Sequence, residues 1–158
     1  MGLTPGDKAP EFKLFTSDKR EVSLSDYKGK TVVLHFFPAA FTGTCTKQLC
    51  RLRDDYSFYE GLNCIVLGCS TDTLFVLAKY KEAQNINFDL LSDYPKEACA
   101  AYGAQYGKWL YNISGNAKRS AFIIDGDGII RYAEVLENAN ELPDFERMKQ
   151  VLQAAGAM

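Results

Sequence analysis

The run Thr31-Val32-Val33-Leu34-His35-Phe36-Phe37 is β-branched, aliphatic or aromatic at all but one position, with no polar alternation. A strand of that kind is buried on both faces, so it must lie inside a sheet with cover on each side. Cys64-Ile65-Val66-Leu67-Gly68-Cys69 is a second strand of the same character. Between them Leu49, Leu52, Tyr56 and Tyr59 recur at three- and four-residue spacing, which predicts a helix from about Thr44 to Glu60. Pro38 ends the first strand and Gly61 is the natural helix stop.

The rest of the chain extends this pattern. Ala9 to Phe15 alternates apolar and polar as a half-buried strand does, Asp18-Lys19 turns, and Glu21 to Leu24 returns. Ser25 to Lys30 is polar with a Gly break. Asp72 or Thr73 caps a helix reaching about Gln84. Phe88 to Leu91 reads as a short strand, and Pro95 to Tyr102 as a short helix with Pro in its first turn. Residues 103–118 form an irregular loop carrying Trp109. Ala121–Ile124 and Ile129–Tyr132 flank Asp125-Gly126-Asp127-Gly128, a strong hairpin signal. Pro143 to Ala155 is an amphipathic closing helix. Strands alternating with helices, plus a late hairpin, predict an α/β sandwich with a mixed β-sheet, one domain over 1–158.

Charge and targeting signals narrow the function classes. The formal net charge is −2, and Lys47, Arg51 and Arg53 are followed at once by Asp54 and Asp55. There is no basic field for nucleic acid. The N-terminus lacks the apolar run of a signal peptide, and no stretch nears the roughly 18 apolar residues of a membrane span. A cytoplasmic protein is expected. An odd count of five cysteines there argues against a permanent disulfide framework. A four-thiolate zinc site from Cys45, Cys50, Cys64 and Cys69 is also disfavoured, because strand residues five apart face opposite sides. Cys99 reads as core, and only distantly as a second redox partner for another cysteine. His35, the only histidine, reads as a core or sheet-edge residue. Asp125 to Gly128 lacks the remaining ligands of a calcium loop, and the Asn112 sequon has no secretory context.

The segment from Phe36 to Cys50 carries the chemistry. A buried strand delivers the chain to a loop, and the loop places Cys45 in the first turn of a helix. Free amide N–H groups and the positive dipole end stabilise an anion there, and the thiolate is the nucleophile. Gly43 permits close approach, and Thr42 and Thr44 offer hydroxyls. Local physics leaves two readings: an activated nucleophile, or a helix residue without reactivity.

Pro38-x-x-x-Thr42-x-x-Cys45 resembles the peroxiredoxin signature, and Phe36-Phe37 before it with Arg53-Asp54 after it are similar to that family. Lys118-Arg119-Ser120-Ala121-Phe122-Ile123-Ile124-Asp125 resembles the family's Arg-containing strand. The likeness spans nearly the whole chain, with features of the Q-type (bacterioferritin-comigratory) and alkyl-hydroperoxide reductase E-like branches. It implies a thioredoxin-like fold without metal or organic cofactor, and a catalytic group of Pro38, Thr42, Cys45 and Arg119. Cys45 is then expected to attack hydrogen peroxide or an organic hydroperoxide and become a sulfenic acid. Arg119 would keep the thiolate charged, Thr42 would hydrogen-bond thiolate and peroxide, and Pro38 would shield the site.

In the Q-type branch a cysteine five residues on, here Cys50, resolves the sulfenic acid as an intramolecular disulfide. Some E-like members use only the peroxidatic cysteine and an external thiol, and both routes stay open. Along intact helix the two Cα atoms are about 8.6 Å apart, beyond the roughly 7 Å that a disulfide spans, so the first turns must unwind for closure. The resemblance implies thioredoxin, a glutaredoxin-type protein or a low-molecular-weight thiol as reductant, and a monomer or homodimer. Gln48 stands where many relatives carry Glu, which removes a charge beside Arg119. A dithiol oxidoreductase would need Cys-x-x-Cys. A redox sensor or chaperone-like module using the same oxidation without turnover is the alternative.

Overall fold

A computed structural model describes residues 2–155; Met1 and residues 156–158, included in the one-domain expectation, lie outside the described residues. The strands are β1 (Lys13–Thr16), β2 (Glu21–Ser23), β3 (Thr31–Phe36), β4 (Cys64–Ser70), β5 (Asp89–Ser92), β6 (Ser120–Ile124) and β7 (Ile130–Val135). The helices are α1 (Gly43–Asp54), α2 (Tyr56–Gly61), α3 (Leu74–Ala83), α4 (Glu97–Ala101) and α5 (Phe145–Ala154). The strands make one sheet in the order β2-β1-β5-β4-β3-β6-β7. β3, β4 and β5 are parallel neighbours; the other pairings are antiparallel, so the sheet is mixed as expected.

The nearly continuous apolar run of β3 is explained by its position. It lies between β4 and β6, and each of its residues is buried. Val32, Leu34 and Phe36 join a core with Leu67, Cys69, Phe122 and Cys99 on one face. Val33 and Phe37 join a second core with Leu49, Leu52, Leu77, Phe145 and Leu152 on the other, under α1, α3 and α5. Burial of each such side chain contributes roughly 2 kcal/mol. Cys64 and Cys69 fall in different cores, as strand alternation requires.

Three expectations need correction. The single helix over Thr44–Glu60 is two helices meeting at Asp55. The Asp55 carboxylate accepts from Arg51 Nε and from Lys149 Nζ of α5, both at 2.9 Å. The Arg51 pair is at helical i,i+4 spacing, so it is the long-range bond to Lys149 that holds Asp55 at the turn, where φ is −95° and ψ 10°, and α2 then lays Tyr59 into the core. The helix expected from Pro95 starts at Glu97, because the Asp93 carboxylate accepts from the amides of Glu97, Ala98 and Cys99 at 3.1, 3.1 and 2.8 Å. The strand expected from Ala9 is confined to Lys13–Thr16, and the polar stretch after β2 includes a 3-10 turn at Leu24–Tyr27. The late hairpin stands, with Gly128 at φ 81° closing its turn.

Candidate active site

The site lies where β3 hands the chain to α1. Phe37 N–H donates to Cys69 O at 3.0 Å, the last tie to the sheet, and buried Pro38 turns the chain away. The loop is held from two sides. Asn116 Nδ2 donates to Pro38 O at 3.3 Å, and Ala40 N–H donates to Asp72 Oδ2 at 2.9 Å. Ser70 Oγ donates to the same carboxylate oxygen at 2.7 Å. Phe41 sits at φ 66°, an unusual conformation for a bulky residue. Its half-exposed ring packs on Tyr80, with centroids 4.9 Å apart.

Thr42 is the N-cap residue of α1, but its side chain makes no capping bond. Thr42 Oγ1 donates instead to Ala39 O at 2.7 Å, so the hydroxyl is left as an acceptor in the site. The expected donation from Thr42 to the sulfur is therefore not the arrangement present. Its lone pairs suit a peroxide O–H instead. Thr46 Oγ1 donates to Thr42 O at 2.8 Å and lies 2.8 Å from Tyr80 Oη, which staples the first turn of α1 to α3. Burial pushes the Tyr80 phenol up to about 12.

Cys45 is the third residue of α1 and only 1% exposed. Arg119 Nη1, from the segment entering β6, donates to Cys45 Sγ at 3.3 Å and to Gln48 Oε1 at 2.9 Å. Arg119 Nη2 donates to Ala139 O at 2.7 Å, and its Nε–H has no partner among the described residues. The guanidinium is 2% exposed and bonds no carboxylate among the described residues. A buried cation needs an anion beside it. Among the hydrogen-bond partners of Arg119, Cys45 Sγ is the ionisable one.

Beneath Arg119, Gln48 Nε2 lies 2.9 Å from His35 Nδ1 and 3.3 Å from Phe36 O. His35 is fully buried, its ring stacked on Phe145 at 5.6 Å, and burial pushes its imidazole down to about 3. The sequence marks His35 only as a polar exception within an apolar strand. Nothing local marks Asn116, Asp72, Tyr80 or Ala139, whose contacts with the site all come from distant segments.

Cys50 lies on α1, half-buried, with Sγ donating to Gln84 Oε1 at 3.7 Å. Cys45 and Cys50 are both free thiols on one intact helix. Burial pushes Cys64 up to about 11 and Cys99 up to about 12, and it holds Cys69 well above the ordinary thiol range. Cys99 and Cys69 belong to the core across the sheet from Cys45, so the fold does not bring Cys99 to it. Among the described residues no helix is long and apolar enough to cross a membrane.

The AhpC/TSA family model matches residues 5–133. A Mycobacterium tuberculosis protein carrying a peroxiredoxin name is 43% identical over 133 residues, covering 84% of this chain and 85% of its own length. The chain belongs to the AhpC/TSA family. Peroxiredoxin Bcp of Escherichia coli is 37% identical over 131 residues, covering 82% of this chain and 84% of its own. The crystal structure of peroxidoxin BcpB from M. tuberculosis superposes with a TM-score of 0.85 at 28% identity, covering 96% of this chain and 97% of that one. This peroxiredoxin therefore has the thioredoxin-like α/β fold and is a thiol-dependent peroxidase.

Proposed function

We propose that Cys45 is the peroxidatic nucleophile and that Arg119, Thr42 and Pro38 serve it. The observation that carries this reading is the Arg119 Nη1–Cys45 Sγ contact of 3.3 Å, made by a buried guanidinium without a carboxylate partner among the described residues. The thiolate attacks the terminal oxygen of a hydroperoxide. An S–O bond forms, the O–O bond breaks, and sulfur supplies the two electrons. The departing oxygen leaves as alkoxide or hydroxide and takes up a proton, giving an alcohol or water. Arg119 stabilises the charge shifting from sulfur to that oxygen. Thr42 Oγ1, already donating to Ala39 O, accepts from the peroxide hydroxyl and orients it. Pro38 keeps bulk water off the sulfur. With Cys45 1% exposed, access is limited to a small peroxide head or requires the loop to move.

Cys50 is proposed as the resolving thiol. It attacks the sulfenic sulfur, water leaves, and a Cys45–Cys50 disulfide forms. A thioredoxin, glutaredoxin-type or low-molecular-weight thiol then reduces it. α1 spans both residues, so its first turns open for closure, breaking the Thr46–Tyr80 bond. The whole chain acts as one domain in the cytoplasm, as a monomer or homodimer. Intact-mass analysis after one equivalent of peroxide tests this. Wild type is expected to lose two hydrogens, Cys50→Ser to gain one oxygen, and Cys45→Ser to do neither. Oxidation persisting in Cys45→Ser refutes the nucleophile; one added oxygen in wild type refutes the resolver alone.

A further inference from the structure

The buried polar chain behind Cys45 has its donors and acceptors determined by elimination. Guanidinium nitrogens only donate, so Arg119 Nη1, 2.9 Å from Gln48, must face the amide oxygen. Phe36 O only accepts, so it must face the amide nitrogen, 3.3 Å away. That nitrogen also lies 2.9 Å from His35 Nδ1, which must then be a bare lone pair. His35 is thereby a neutral imidazole carrying its proton on Nε2.

The tautomer has a cost. His35 Nε2 is buried and has no partner among the described residues, an unsatisfied donor that a phenylalanine in the same space would not carry. Packing alone does not account for a histidine here, and the compensation lies at Nδ1. Arg119 is bonded to no carboxylate among the described residues, so neutral acceptors aim it: Gln48 Oε1 and Ala139 O. The aim depends on how well the Gln48 amide is held. His35 is a stiff support for it, on a central strand and stacked on Phe145 with an interplanar angle of 13°.

We propose that His35 is a positioning residue of the peroxidatic site, its unprotonated Nδ1 holding the Gln48 amide so that the amide oxygen aims Arg119 at Cys45. The proposal rests on Cys45 being the peroxidatic thiolate. His35 touches neither substrate nor sulfur and acts through Gln48.

Two measurements test it. The chain has one histidine, so a 15N-histidine NMR spectrum of the wild type reports this tautomer without assignment. A bare Nδ1 and protonated Nε2 at neutral pH are expected. Protonated Nδ1, or an imidazolium, overturns the proposal even if no variant folds. Second, the rate of Cys45 oxidation by hydrogen peroxide is compared in His35→Phe, which retains the ring stack, and His35→Asn, which retains an acceptor near Nδ1. His35→Phe is expected to be about tenfold slower, the worth of one buried hydrogen bond, with His35→Asn restoring most of the rate. In a Gln48→Ala background His35→Phe should cost nothing further. A wild-type rate in His35→Phe, or an equal loss in both backgrounds, overturns the proposal. A wild-type Cys45 inert to peroxide instead removes the nucleophile assignment, which the tautomer does not address.

Discussion

Acidification from pH 7 to pH 5 should destabilise this peroxiredoxin through one group. His35 is fully buried, and desolvation lowers its imidazole from 6.5 to about 3 in the fold. The unfolded chain therefore binds a proton between those values that the folded chain does not. Its contribution to stability is complete above pH 6.5 and is lost as pH falls toward 3. The slope within that window is about 1.4 kcal/mol per pH unit. Integration from pH 7 to pH 5 gives a loss of about 2 kcal/mol. This interval separates His35 from other groups: it is the only histidine, ordinary carboxylates finish titrating lower, and thiols and phenols titrate higher. Urea unfolding at both pH values, in wild type and His35→Phe, measures the difference. Wild type should lose about 2 kcal/mol and the variant under about 0.5 kcal/mol. Equal losses in the two proteins would refute the burial argument.

Tyr80→Phe removes the phenol that holds Thr46 at 2.8 Å and should loosen the start of α1 by about 1 kcal/mol. Under excess peroxide, mass spectrometry should then show more Cys45–Cys50 disulfide and less Cys45 sulfinic acid; an unchanged ratio means that opening α1 does not limit resolution. Gly68→Ala puts a Cβ 2.8 Å from Leu90 Cδ2, and the forced repacking should cost roughly 1–3 kcal/mol in chemical denaturation. Iodoacetamide at pH 8 should leave Cys64, Cys69 and Cys99 unlabelled in the native protein, because burial keeps them protonated; peptide mapping reads this directly.

The candidate site was legible in uneven degree. Pro38, Thr42 and Cys45 lie within eight residues, so one loop and one helix start bring them together wherever the rest of the chain goes. The Thr42 hydroxyl is different: whether it donates to the sulfur or to Ala39 O depends on the course of a loop pinned by Asn116 and Asp72. Gln48 was visible as a lost charge, but its tie to His35 was not. Residue 35 reads as core or sheet edge because its neighbours are apolar, and the tertiary structure puts it in the core on a central strand.

Local periodicity and turn chemistry were enough for the strand and helix order, the mixed sheet and the opposed faces of Cys64 and Cys69. These follow from interactions within a few residues and from burial, which every position on a central strand shares. The helix break at Asp55 was decided by Lys149, and the aim of the Arg119 guanidinium by Cys45, Gln48 and Ala139. Each joins residues far apart in sequence, and only packing against the same sheet brings them within hydrogen-bond distance. The sequence by itself thus determined that Cys45 stands in the first turn of a helix; the tertiary structure decided which buried groups surround it.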